Sequence, residues 1–303
     1  MWDAPCTKER SPIPELPEVE TVRRELEPWL TGRRILSAAL VDAQPGPKYA
    51  NLKHAEGQQI VRVDRRGKFL LLPLASPDPQ RDGTERDVLV IHLGMTGVVT
   101  HVQPAAHERV RLTLDGRDKT TLHFQDVRRF GRFLLLEEGN PAALPTLAAM
   151  GPEPLADDFT TEALWRGVRG REAAIKTLLL SQRPVAGVGN IYADEALWRV
   201  GIHPRRPARQ LTKKQVAHLH GAIRDVLQAS IEAQGTTLYD YRTVNGEVGA
   251  YLEKLDAYGH EGEPCRRCGT TIERIVVGQR SSHVCPTCQR PPRARRKQRP
   301  TRR

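Results

Sequence analysis

The amino-acid sequence predicts an α+β multidomain protein, with a β-sandwich and its flanking helix first, a helical part second and a four-cysteine hairpin last. Three observations predict it. Short apolar runs crowd the stretch from Ile60 to Leu136, helical periodicity takes over after Pro154, and two Cys-x2-Cys pairs stand near the C-terminus.

Taken in order, Val19, Val22, Leu26 and Leu30 recur at helical spacing with charges between them, and Gly32 closes that amphipathic helix. Strand-like runs follow at Ile60 to Val63, Phe69 to Leu74, Val88 to Leu93, Arg109 to Leu114, Thr121 to Phe124 and Phe133 to Leu136. Several short strands in succession point to a sandwich or barrel, and the polar insert Pro77 to Asp87 reads as a loop between two of them. Composition shifts to Pro, Ala and Gly around Asn140 to Pro154, where a domain boundary is expected. Helices are expected near Thr160 to Val168, Glu172 to Ser181, Ile191 to Val200 and Thr212 to Gln234, the last with Thr212 as N-cap. The expected division is 14–145 for the sandwich, 155–256 for the helical part with a mobile loop at Tyr239 to Tyr251, 257–289 for the cysteine hairpin, and 290–303 for a disordered basic tail.

The chain of 303 residues is long enough for two domains or slightly more. No run approaches the length of a membrane span, and Met1 to Ile13 lacks the apolar segment of a signal peptide, so a soluble cytoplasmic protein is expected. The formal charge is +11, but eight cations and no acid lie after Gln289. The folded part is therefore only mildly basic, and binding of a polyanion must rest on placed residues.

Cys265 and Cys268 are separated from Cys285 and Cys288 by 16 residues, the spacing of two zinc knuckles joined by a β-hairpin. Two pairs in register favour zinc over a redox dithiol. Four thiolates leave no open coordination position, so one structural Zn2+ is expected and the ribbon should serve to rigidify the hairpin.

The heptad Pro14-Glu15-Leu16-Pro17-Glu18-Val19-Glu20 closely resembles the opening of the bacterial formamidopyrimidine-DNA glycosylases of the Fpg/Nei family, where the processed chain begins at the proline. Alone, the heptad would read as a Pro-punctuated turn into an acidic helix start. The resemblance runs on to about Gln289. It covers Asp64-Arg65-Arg66-Gly67-Lys68, Ile91-His92-Leu93-Gly94-Met95-Thr96-Gly97, Asp126-Val127-Arg128-Arg129-Phe130-Gly131 and Val185 to Tyr192, and it implies a helix-two-turn-helix module and a zinc-ribbon hairpin.

By that resemblance the protein is a monomeric, bacterial, nucleoid-associated DNA glycosylase and abasic-site lyase acting on damaged double-stranded DNA, with no membrane partner. Pro14 is implied as the amine that forms a Schiff base, Glu15 as general acid/base, Lys68 as an aid to β-elimination and Arg280 as the grip on phosphates flanking the extruded nucleotide. Met95, Arg128 and Phe130 match the residues that fill the void left by a flipped base. His107, Asn190, Lys176 and Arg171 are implied as contacts to the DNA backbone. Val127 stands where the family pattern has proline, a departure that removes no functional group, whereas Tyr239 stands where lysine is expected and His260 where arginine is usual, so lesion preference is the property the resemblance carries least well.

Thirteen residues precede Pro14, and an internal proline nitrogen is a tertiary amide without a usable lone pair. Ile13 stands in the family's initiator position, so translation is expected to begin at an isoleucine codon read as Met. The rival readings are an extension that is clipped, an extension that marks a non-catalytic lesion-binding protein, and, within the family, the endonuclease VIII branch that acts on oxidised pyrimidines.

Overall fold

The computed structural model describes residues 14–76, 85–140, 144–236, 244 and 250–292. The extension 1–13, most of the expected loop Tyr239 to Tyr251 and the tail from residue 293 lie outside the described residues.

Helix α1 (Leu16–Leu30) opens the described chain, with Pro17 in its first turn, where a missing N–H costs no hydrogen bond. Two sheets follow. One is built from β1 (Ile35–Leu40), β6 (Gly97–Thr100), β7 (Glu108–Leu114) and β8 (Thr121–Asp126) in the order β1-β7-β8-β6. The other runs β2 (Gln59–Ile60), β4 (Phe69–Ala75), β5 (Glu85–His92), β9 (Arg132–Leu136), with β3 (Asp64–Arg66) also pairing β4. Every pairing is antiparallel, and the register sets Phe69 opposite His92 and His92 opposite Arg132.

The inner faces meet in a core where Leu70, Leu72, Leu89, Ile91 and Phe133 pack with Val110, Leu112, Leu122 and Phe124. Strand β7 alternates buried and half-buried residues towards its end, as a sheet with one solvated face should. Strands β4, β5 and β9 read as continuous apolar runs because their sheet is covered twice. Its outer face carries Phe69, Val90, Leu134 and Leu136 against Leu147 of the short helix α2 (Pro145–Ala148) and Leu144 just before it.

The helical part comprises α3 (Thr161–Val168), α4 (Ile175–Leu180), α5 (Asn190–Arg199) and α6 (Lys213–Glu232). Thr160 and Thr212 cap α3 and α6 by accepting the N–H of Ala163 and Gln215. Ile191 to Trp198 are all buried, which makes α5 the central helix of this part. A hairpin of β10 (Glu273–Val277) and β11 (Arg280–Val284) ends it. Helix α1 serves both cores, since Leu16 packs among the helices while Val19, Val22, Leu26 and Leu30 pack in the sandwich.

Several expected boundaries differ. Residues 85–87, expected in a loop, extend β5, and Asp87 pairs with Leu74. The helix expected from Glu172 starts only at Ile175, because Ala173 accepts the N–H of Ala208 and the chain there is held as a bridge. Strands β1, β3 and β6 were not anticipated, being too short or too polar to stand out.

Candidate active site and nucleic-acid interface

Pro14 and Glu15 are buried where α1 enters the helical part. The Glu15 carboxylate faces the N-terminus of α5, accepting the N–H of Gly189 at 2.7 Å and of Ile191 at 2.8 Å. Free amides and the positive end of a helix dipole are the natural partners of a carboxylate. Burial nevertheless dominates: it raises the Glu15 pKa to about 7, a rise that the Lys68 ammonium offsets in part and Glu18 reinforces. Lys68 is half-buried, and its pKa is pulled below the ordinary lysine value by burial, against the pull of Glu15 and Glu18. Gly189 makes the approach possible, because a Cβ there would lie within 2.5 Å of both the Glu15 carboxylate and the Lys68 ammonium.

Two residues outside the expected set shape this corner. Glu18, a buried acid, accepts the Glu15 N–H at 2.9 Å, the Tyr192 hydroxyl at 2.6 Å and the Thr236 N–H at 2.7 Å, so it ties the Pro14-Glu15 turn to the start of the segment after α6. Glu153 accepts from the Gly67 N–H at 2.6 Å, Arg66 at 3.0 Å and Arg65 at 2.7 Å, which clamps the turn that delivers Lys68. Next to Lys68, the His92 ring packs at a tilt against Phe69 and accepts the Gly94 N–H through Nδ1, and burial with Lys68 and Arg132 nearby holds its pKa down to about 4. Its ring is therefore neutral at neutral pH. The signal in sequence was a lone histidine at the end of an apolar strand.

Met95 and the group Arg128 to Phe130 lie on adjacent loops tied by one buried carboxylate. Asp126 accepts the Thr96 hydroxyl at 2.6 Å through Oδ1 and the Gly131 N–H at 2.7 Å through Oδ2. The buried Arg109 supports the same corner by donating to the Asp126 carbonyl at 2.8 Å. Phe130 is 48% exposed and sits under the Arg128 guanidinium at 5.0 Å, while Met95 is half-buried. Phe130 is thus on a braced loop and outside the packed core. His107 is exposed, with a positive φ of 62° beside Arg109.

Arg280 is exposed at the start of β11, and Asn190 begins α5 with its Oδ1 buried and without a hydrogen-bond partner and its Nδ2 3.4 Å from the Ser281 hydroxyl. Arg171 is exposed after α3. Lys176, expected to present its ammonium to phosphate, is instead fully buried, donating to Asp194 at 2.7 Å and to the Ser281 carbonyl at 2.7 Å. A helical position facing the core leaves an ammonium only internal partners, and Asp194 supplies the charge.

The sulfur atoms of Cys265, Cys268, Cys285 and Cys288 all lie within 4.8 Å of one another. Tetrahedral zinc with Zn–S near ~2.3 Å needs sulfurs about 3.8 Å apart. The four residues therefore fit one structural zinc ion.

A buried proline-glutamate turn, a lysine beside it, two loops braced by one carboxylate and a four-cysteine hairpin on a sandwich-plus-helices frame together mark the class of enzymes that process DNA. The chain belongs to the formamidopyrimidine-DNA glycosylase family. Three family models match: the formamidopyrimidine-DNA glycosylase N-terminal domain over residues 13–133, the formamidopyrimidine-DNA glycosylase H2TH domain over 150–241, and the zinc finger found in FPG and IleRS over 262–291. The formamidopyrimidine-DNA glycosylase of Deinococcus radiodurans is 45% identical over 281 residues, 91% of this chain and 97% of its own. That of Thermus thermophilus is 46% identical over 279 residues, 91% of this chain and 98% of its own. The crystal structure of the MutM (Fpg) protein from Thermus thermophilus superposes with a TM-score of 0.81 at 44% identity, covering 91% of this chain and 98% of that one. A complex between the Lactococcus lactis Fpg and DNA containing an abasic site gives 0.78 at 33% identity, covering 91% and 100%.

Proposed function

We infer that this protein is a base-excision-repair DNA glycosylase for oxidised purines, such as 8-oxoguanine and formamidopyrimidines, and an abasic-site lyase. The observation that carries the reading is the buried Glu15 carboxyl beside Pro14, held by the α5 amides with a pKa of about 7 and with Lys68 beside it. A group poised there can give or take a proton at neutral pH.

In the proposed reaction the Pro14 nitrogen, as a free secondary amine, attacks C1′, and the bond from C1′ to the damaged base breaks as the new C–N bond forms. Glu15 handles the proton transfers at the sugar. Proton transfer from the Glu15 carboxyl to O4′ lets the C1′–O4′ bond break, and the sugar ring opens to an iminium on Pro14. Loss of the acidified C2′ proton then expels the 3′ phosphate and loss of the C4′ proton expels the 5′ phosphate, with Lys68 assisting, and water releases the sugar fragment from Pro14. Met95, Phe130 and Arg128 fill the gap in the stack, and Arg280, Asn190, His107 and Arg171 hold the backbone. Lys176 serves the same end from inside, by holding the strand that carries Arg280. The zinc keeps the ribbon folded.

The partner is damaged double-stranded DNA, a substrate of the kind held in the Lactococcus lactis complex. Among the described residues no helix is long and apolar enough to cross a membrane. We place the enzyme as a monomer on the DNA of the bacterial cytoplasm, with a working division at 14–145, 155–256 and 257–289. A duplex with one 8-oxoguanine should be cut to leave phosphates on both sides of a one-nucleotide gap. Preference for a matched duplex bearing an oxidised pyrimidine would instead establish the endonuclease VIII activity.

A further inference from the structure

Helix α5 holds both ends of the site. Its first turn grips Glu15, and one turn further on Asp194, 1% exposed, holds the strand that carries Arg280. Asp194 Oδ1 accepts the Ser282 hydroxyl at 2.7 Å and the Lys176 ammonium at 2.7 Å, and Oδ2 accepts the His283 N–H at 2.9 Å. Lys176 in turn donates to the Ser281 carbonyl at 2.7 Å. Three consecutive residues of β11, beginning beside Arg280, are thus tied to α4 and α5 through one carboxylate and one ammonium. The hairpin tip also lies on α4, where a Cβ on Gly278 would meet the Thr177 hydroxyl at 2.6 Å.

We propose that Asp194 is a positioning residue for Arg280, setting its distance from Glu15 through the rigid length of α5. The alternative, that Asp194 only holds the zinc ribbon to the helices, leaves its geometry unexplained. That docking is already supplied by the neighbouring Glu195, which accepts the N–H groups of Asp256, Ala257 and Tyr258 at 2.9, 2.9 and 2.8 Å. Two adjacent carboxylates thus divide the work: Glu195 holds the turn that leads into the ribbon, and Asp194 holds the strand of the hairpin bearing Arg280.

The proposal rests on the assignment of Arg280 as a DNA contact, and a double-mutant cycle keeps the two apart. Arg280→Ala, Asp194→Asn and the double variant are compared for affinity to a duplex carrying a tetrahydrofuran abasic analogue, with zinc content measured for each. Arg280→Ala should weaken binding by on the order of tenfold or more, as loss of a charged phosphate contact does. Asp194→Asn should weaken it comparably with zinc retained, and the double variant should bind no worse than Arg280→Ala. An unaffected Arg280→Ala would remove the assignment of Arg280. A sensitive Arg280→Ala with multiplied effects in the double variant would overturn the proposal for Asp194, as would unchanged binding in Asp194→Asn. Should Asp194→Asn lose zinc or fold poorly, Ser282→Ala takes its place in the cycle, because it removes one hydrogen bond and leaves the buried ion pair intact. The same criterion of multiplied or non-multiplied effects then decides.

Discussion

The Glu15 carboxylate and the Lys68 ammonium share the space that a side chain at position 189 would fill, each lying within 2.5 Å of a Cβ built on Gly189. Two groups of opposite charge from distant parts of the chain therefore meet over one backbone position.

Gly189→Ala should push both groups from their places. A displacement of about an ångström in a catalytic group costs on the order of a hundredfold in rate. Single-turnover excision of 8-oxoguanine should fall by about that factor while thermal unfolding shows a folded protein. A rate within about threefold of the parent would refute the close approach.

The raised pKa of Glu15 predicts a stability that declines with pH. Below the ordinary value of 4.5 the carboxyl is protonated in both folded and unfolded chains. Between there and about 7 the unfolded chain ionises first, so stability is lost as pH rises, by ~3 kcal/mol in total from this group. The melting temperature of Glu15→Gln, relative to the parent, should therefore move upward from about pH 5 to about pH 8. A constant difference would show that Glu15 titrates normally.

Pro14 can attack C1′ only as a free amine. Protein whose chain begins at Pro14 should be trapped on damaged DNA by borohydride, and the intact 303-residue chain should not. Equal trapping of both, with the extension verified by mass, would rule out the amine.

Cys285 is one of four sulfurs within 4.8 Å of each other, so Cys285→Ser should release the metal and free the hairpin that presents Arg280. Binding of damaged duplex should be lost while the sandwich keeps its far-ultraviolet signal. Undiminished binding by the metal-free variant would contradict a structural role for the ribbon.

The cations after Gln289, whose course from residue 293 lies outside the described residues, should act through charge alone. Each phosphate they neutralise adds roughly 0.9 to the slope of log affinity against log salt. Truncation after Gln289 should reduce that slope by several units on undamaged duplex and leave saturated single-turnover excision nearly unchanged. Matching slopes would make the tail a mere solubiliser.

What the sequence determined by itself was local or patterned. The helix from Val19, the apolar strands around Leu70 and Leu89, the Thr212 cap and the spacing of four cysteines each follow from a few neighbouring residues. The order of matches from Pro14 to Gln289 carried the family and its chemistry. Tertiary structure alone decided which groups meet. Glu15 and Gly189 are 174 positions apart, and nothing local tells that the amide capping α5 will donate to that carboxylate. The sequence could not tell that Lys176 is sealed against Asp194, that Glu153 clamps the turn before Lys68, or that Asp126 braces two loops at once. Those roles come from burial. Once water is excluded, each charged or polar group must find its partner within the protein, and the fold decides which partner is in reach.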